Sequence, residues 1–229
     1  MTREIVLDTE TTGMDPEDGH RLVEIGCVEL LNHVPTGKHL QFYINPERDV
    51  PVEATAVHGL TGDFLADKPV FSQIYSEFLA FIGDAKLVIH NAEFDMKFIN
   101  AELRSVGHEP IPWPRIIDTL QMARRKFPGS PANLDALCRR FGIDNTERTY
   151  HGALLDSELL AEVYLELLGG RQHGLGLLAE KEKEETSVVK AQRKTRAQRP
   201  ARPHAPSPAE LAAHQAMLAK IKKPLWMAE

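Results

Sequence analysis

Two cysteines, Cys27 and Cys138, are all that 229 residues contain. They form neither a Cys-x-x-Cys pair nor a zinc-ligand spacing, so a disulfide scaffold and a structural zinc site are excluded, and two buried, reduced thiols are the expected state. Long apolar runs are missing too. Nothing approaches the ~18 consecutive apolar residues of a membrane-spanning helix. Ile5-Val6-Leu7 is too short for the hydrophobic stretch of a signal peptide, so a cytoplasmic location is expected, with no membrane partner. Internal repeats are absent.

Positive charge is in deficit over most of the chain. Residues 1–185 carry 18 Lys/Arg against 31 Asp/Glu, a net of −13. Residues 186–206 reverse this with six bases and no acid, and residues 207–229 are near balance with three bases and two acids. A body this acidic lacks the broad Lys/Arg surface that ordinarily meets phosphates. If its substrate were a polyanion, its acids would need neutralising by metal ions, or its affinity would have to come from a partner.

What is present suffices for one domain and a tail, since 42% of residues are hydrophobic. Glu4–Glu10, Leu22–Leu30 and Gln41–Ile44 read as three strands in a meander. Helical patterns follow at Pro51–Val57 and Val70–Ile82. A buried strand is expected at 86–91, a helix over Phe94–Val106, a strand over Arg115–Thr119, and helices over Leu120–Lys126, Leu134–Phe141 and Ala153–Leu168. Three strands followed by strand–helix alternation predict an α/β fold, a mixed sheet with helices on both faces. The character changes after Gly170. Residues 180–207, basic and proline-bearing, read as a flexible linker. Residues 208–229 follow as a short amphipathic segment, with Leu211, Leu218 and Ile221 on a helix over Pro208–Lys223 and then Trp226. Such a helix cannot build its own core. It either docks on a partner's groove, with Trp226 as anchor, or packs back on its own domain.

Acidic residues stand where apolar ones are expected. Asp8 and Glu10 lie two apart on an apolar strand and share a face. Burying that pair is costly unless a metal or solvent meets it, although an exposed strand end would also account for it. Asp95 opens a helix, where a capping residue is the alternative. Asp156 sits inside the apolar stretch Leu154–Leu160. His151 precedes it by five residues, and histidine is the side chain best matched to proton abstraction near neutral pH. Carboxylates in such numbers suit a pair of divalent ions ~4 Å apart, which can activate a water and stabilise a leaving oxygen in phosphodiester hydrolysis.

Three segments carry a resemblance: Asp8-Thr9-Glu10-Thr11-Thr12-Gly13, His90-Asn91-Ala92-Glu93-Phe94-Asp95, and His151-Gly152-Ala153-Leu154-Leu155-Asp156. Their pattern resembles, intact and in order, the motifs of the DEDDh exonucleases. That resemblance implies a ribonuclease H-like fold, here a five-stranded mixed sheet, and metal-dependent 3′→5′ removal of nucleotides from DNA with Mg²⁺ or Mn²⁺. The segments at 127–129, 134–138, 160–164, 210–214 and 225–226 further resemble the epsilon subunits of bacterial DNA polymerase III, over about residues 1–180 and 208–229. The implied organisation is an exonuclease domain at 1–179, the linker at 180–207, and a segment at 208–229 that docks on the polymerase alpha subunit.

The resemblance implies roles position by position. Asp8 bridges both metals, Glu10 and Asp156 complete the tighter site, and Asp95 supports the second ion through water. His151 takes the proton of the attacking water. Glu53 and His58 contact the terminal nucleotide, unless they are a helix-surface acid and a turn histidine, and the Thr9 and Thr11 backbone lines the 3′-terminus. Gln172, Leu175 and Leu177 resemble a peptide that binds the beta sliding clamp, against an ordinary helix-to-linker transition. A theta-type small subunit is a further implied partner. Two other readings remain open from residues alone: a DEDDh ribonuclease acting on short RNAs, and a non-catalytic scaffold joining polymerase and clamp.

Overall fold

The computed structural model describes residues 2–146, 148, 150–170 and 205–220. The chain divides into two compact units, Met1–Gly176 and Leu177–Glu229. The first begins with three strands, β1 (Arg3–Thr11), β2 (Leu22–Leu31) and β3 (Val34–Tyr43). Helices α1 (Val52–His58), α2 (Gly62–Leu65) and α3 (Phe71–Ile82) lead to β4 (Lys86–Ile89). Then come α4 (Ala92–Ser105), β5 (Ile116–Asp118), α5 (Thr119–Lys126), α6 (Leu134–Phe141) and α7 (Ala153–Leu168).

The five strands form one sheet in the order β3-β2-β1-β4-β5. β1 and β3 each run antiparallel to β2, whereas β4 is parallel to both β1 and β5. The antiparallel half needs only tight turns. The parallel half needs crossovers, which α1–α3 and α4 supply. Alternation along β1 then sorts the core. Ile5 and Leu7 pack with Phe71, Phe78, Phe98 and Ile99 of α3 and α4, while Val6 packs with Leu137, Leu160 and Val163 of α6 and α7. Helices therefore cover both faces, as the pattern predicts. Cys27 and Cys138 are free, buried, and placed in the two different cores.

Three expectations shift. β3 begins at Val34, seven residues before the reading, because Asn32 and His33 both take positive φ, at 50° and 67°, and close a two-residue hairpin. Pro35 and Gly37 hid this strand, and both are tolerated because β3 lies at the sheet edge. α4 begins at Ala92 rather than Phe94, since Asn91 adopts the left-handed conformation (φ 63°) and turns the chain at once from β4 into the helix. The short α2, capped by the Thr61 side chain on the Phe64 N–H, has no counterpart in the sequence pattern.

In the second unit, α8 spans Pro208–Leu218. Ser207 and Glu210 form a reciprocal capping box at its start. Leu211, exposed, and Leu218 lie seven apart and so share a helix face. Ile221, Trp226 and the clamp-peptide residues Gln172, Leu175 and Leu177 lie outside the described residues.

Candidate active site

β2 decides where α7 starts. Asp8 pairs with Gly26 and Glu10 with Glu24 across the β1–β2 ladder. A Cβ at residue 26 would lie 2.2 Å from the Ala153 carbonyl carbon, so only glycine lets the first turn of α7 rest on the strand. Two polar contacts hold it there. The Ala153 N–H donates to Glu24 Oε2 (3.1 Å), and Ser157 Oγ donates to the Gly26 carbonyl (3.1 Å). The helix start thus places Asp156 against the acids of β1.

Asp95 arrives from the other side, on the first turns of α4, and its Oδ1 accepts from Thr9 Oγ1 at 2.7 Å. Asp8, Glu10, Asp95, His151 and Asp156 all line one cavity of about 910 Å³. One ligand atom from each of Glu10, His151 and Asp156 falls within 4.8 Å of the others. Glu53 and His58 line the same cavity from α1. The structure therefore brings together all seven residues singled out for this pocket.

The electrostatics are those of too many acids in one place. Burial first, then the charges of Asp95, Glu10 and Asp156, hold the Asp8 carboxyl well above the usual carboxylate range. Glu10 is raised to about 8 by burial and then by Asp156, Glu24 and Asp95. Asp95 is raised to about 7 by burial, against the hydrogen bond from Thr9. Such a cluster resists full ionisation unless a cation enters. The donors are mostly carboxylate oxygens, which suit a hard divalent ion.

His58 is buried, and its Nδ1 accepts the Leu60 N–H at 3.0 Å. The proton of the neutral ring then sits on Nε2, which has no hydrogen-bond partner. Burial lowers its pKa from the ordinary histidine value, partly opposed by the Thr11 backbone. An orphaned donor on a cavity wall is suited to a ligand acceptor. Glu53 is exposed at the mouth of the cavity.

His151 is half-exposed just ahead of α7. Its backbone N–H donates to the Val57 carbonyl at 3.0 Å. The preceding Tyr150 ring lies 3.3 Å from where a Gly59 Cβ would stand, with Gly59 in the left-handed region at φ +75°. α1 thereby fixes the His151 segment at two points.

Sequence reasoning missed three residues here. Arg148 is the most consequential, since its side chain is only 8% exposed and reaches into the acid cluster. Nothing in the run Asp144-Asn145-Thr146-Glu147-Arg148 distinguishes it from an ordinary solvated charge. Glu24 reads in the sequence as an alternating strand residue, and the resemblance implies a role only for the backbone of Thr9.

The exonuclease family pattern matches residues 5–164. The chain is 50% identical over 224 residues to the DNA polymerase III subunit epsilon of Rickettsia felis, covering 96% of this chain and 97% of that one. Its identity to the Rickettsia conorii subunit is 60% over 173 residues, 74% of this chain and 75% of the relative. With the Escherichia coli K12 subunit it is 42% over 231 aligned positions, 97% and 95% of the two chains. Among solved structures, exonuclease X in complex with 5′ overhanging duplex DNA superposes with a TM-score of 0.58 at 25% identity, over 72% of this chain and 90% of that one. The nuclease domain of 3′hExo, a DEDDh family member bound to rAMP, superposes with a TM-score of 0.62 at 21% identity, over 72% and 91%, a likeness of fold. The five-stranded sheet with its flanking helices is accordingly ribonuclease H-like. By sequence and by fold alike, this chain belongs to the exonuclease family and, within it, to the DNA polymerase III epsilon subunits.

Proposed function

We infer that the chain is the proofreading 3′→5′ exonuclease subunit of a bacterial DNA polymerase III, removing 3′-terminal nucleotides from DNA, mispaired ends in preference. The observation that carries this reading is the convergence of Asp8, Glu10, Asp95, His151 and Asp156 on one cavity, with Asp8, Glu10 and Asp95 held above their ordinary pKa by burial first, and Asp8 and Glu10 also by the neighbouring carboxylates. That surplus of oxygen donors fits divalent cations, and Mg²⁺ or Mn²⁺ matches them by hardness.

Asp8 would be shared by two ions, Glu10 and Asp156 would complete one site, and Asp95 would support the other through water. Bound there, the ions would activate the attacking water and stabilise the leaving oxygen. The residues do the rest. His151 takes the proton from the water that attacks the last phosphodiester phosphorus. The bond from phosphorus to the 3′-oxygen of the penultimate nucleotide breaks, leaving a shortened strand with a 3′-hydroxyl and a nucleoside 5′-monophosphate. His58 Nε2–H and Glu53, on the α1 side of the cavity, hold the sugar of the terminal nucleotide, and the Thr9 and Thr11 backbone lines its 3′-end. A single-strand site of this kind selects mispaired ends because they unpair at lower cost.

The acidic body and the tail supply the partners in this reading. Weak intrinsic affinity for DNA suits an enzyme carried by its polymerase. Leu211 and Leu218 on α8, with Ile221 and Trp226 beyond it, dock on the alpha subunit. Gln172, Leu175 and Leu177 bind the beta sliding clamp, and a theta-type small subunit joins the exonuclease domain. No described helix is long and apolar enough to cross a membrane, which is consistent with a place in the cytoplasm. The deciding experiment is primer digestion in Mg²⁺ or Mn²⁺ with matched DNA, mismatched DNA and RNA ends. Mismatched DNA should be digested fastest, and equal or faster digestion of RNA would overturn the reading.

A further inference from the structure

Arg148 is the only lysine or arginine among the described residues that line the cavity. Its Nε and Nη2 donate to the two carboxylate oxygens of Asp156, at 2.5 and 2.6 Å. Nη1 donates to Asp135 Oδ1 at 2.8 Å, at the start of α6. Nη2 also lies 3.0 Å from His151 Nδ1. A guanidinium can only donate, so His151 Nδ1 must accept there. That nitrogen is the one turned toward the acids, 3.7 Å from Asp156 Oδ2. One side chain thus engages both oxygens of a proposed metal ligand and the lone pair of the proposed base.

We propose that Arg148 is a positioning residue that stands in for the cation while the site is unloaded and masks His151 until a divalent ion displaces it. The inference rests on the metal-site reading above. An ion that takes an Asp156 oxygen competes with the guanidinium for it. Asp135 is the contact that survives this exchange. It lies outside the cluster of ligand atoms, is half-exposed, and keeps the displaced arginine paired. Loading and unmasking are therefore one event, and the protein cannot present a free base at an unloaded site. The same guanidinium, fixed beside the carboxylates, offsets part of the repulsion felt by Asp8 and Glu10.

Competition makes a prediction of opposite signs that simple buttressing does not. The test is a calorimetric titration of the full-length protein with Mn²⁺ alone, without DNA, on the wild type, Arg148→Gln, Arg148→Lys, Asp135→Asn and Asp156→Asn, each first checked for folding by circular dichroism. Arg148→Gln should half-saturate at a Mn²⁺ concentration lower by on the order of tenfold, because its competitor is gone. Arg148→Lys, which keeps the charge but cannot span both oxygens, should fall between, and it serves as the reporting variant if the glutamine protein does not fold. Asp135→Asn should bind Mn²⁺ more weakly than wild type, because the displaced arginine has nowhere to go. Unchanged or weaker binding in both Arg148 variants would overturn the proposal while leaving the metal site standing. Identical titrations of wild type and Asp156→Asn would overturn the metal-site reading itself, and the proposal with it.

Discussion

Gly26 and Ala153 touch backbone to backbone: the strand residue opposite Asp8 has no side chain, and the first residue of α7 occupies the space one would fill. A methyl group there would meet the helix backbone, which cannot rotate away as a flexible side chain could. Gly26→Ala should therefore destabilise the protein by about 1–3 kcal/mol, the usual cost of overpacking. It should also lower exonuclease activity in the surviving folded fraction, because Asp156 moves with the helix. Urea unfolding and primer digestion on one preparation check both effects. Wild-type stability with wild-type activity would show that α7 does not depend on this contact.

His151→Ala should lower turnover on the order of 10²–10⁴-fold, the usual range for a general base, while leaving DNA affinity close to wild type. Asp8→Ala should abolish hydrolysis even in excess Mg²⁺, since it removes the ligand proposed to be shared. Single-turnover rates beside anisotropy-based binding separate the two effects. Equal losses in both for His151→Ala would count against proton transfer as its role.

The raised acids make the metal-free protein's stability depend on pH. Glu10 rises from 4.5 to about 8 and Asp95 from 3.8 to about 7. Between the ordinary and the raised values, the folded state holds protons that the unfolded state has released, so stability falls as pH rises through that window. With EDTA present, the thermal midpoint should decline from about pH 5 to pH 8, and Glu10→Gln should flatten the upper part of the decline. Adding Mg²⁺ or Mn²⁺ should restore stability most at the alkaline end, where loading displaces fewest protons. Parallel profiles for wild type and Glu10→Gln would remove Glu10 as the source.

Tyr150→Ala removes the ring that packs on Gly59 and leaves the His151 N–H···Val57 carbonyl bond to hold the segment alone. Turnover should fall by about tenfold through misplacement of His151, with little change in global stability. The check is the ratio of kcat loss to the shift in thermal midpoint. A large stability loss with kcat preserved would make Tyr150 a packing residue only.

Legibility from sequence followed the range of the signal. β1, β2, α3 and α7 were readable because apolar periodicity is local and strong in them. The start of β3 was not, because Val34–Lys38 contains Pro and Gly, and only its edge position tolerates them. Asp8 and Glu10 were readable as a pair because strand geometry puts positions two apart on one face. His58 was readable from sequence only as either a candidate nucleotide contact or a turn histidine, and its unpaired Nε2 follows from the Leu60 N–H taking Nδ1, a turn geometry with no sequence signature.

By itself the sequence determined the alternation of apolar residues that makes a two-faced sheet, because strand and helix periods are short-range properties, and it put forward the five residues of the candidate pocket through acids set in apolar stretches and the resemblance of three short motifs to a family pattern. Only the tertiary structure decided what surrounds them. Gly26 makes room for α7, Glu24 holds its first N–H across a separation of 129 residues, Gly59 receives Tyr150, and Arg148 sits among the acids. Contacts that span the chain are set by how the helices pack on the sheet, and neither composition nor spacing encodes that packing in any local stretch.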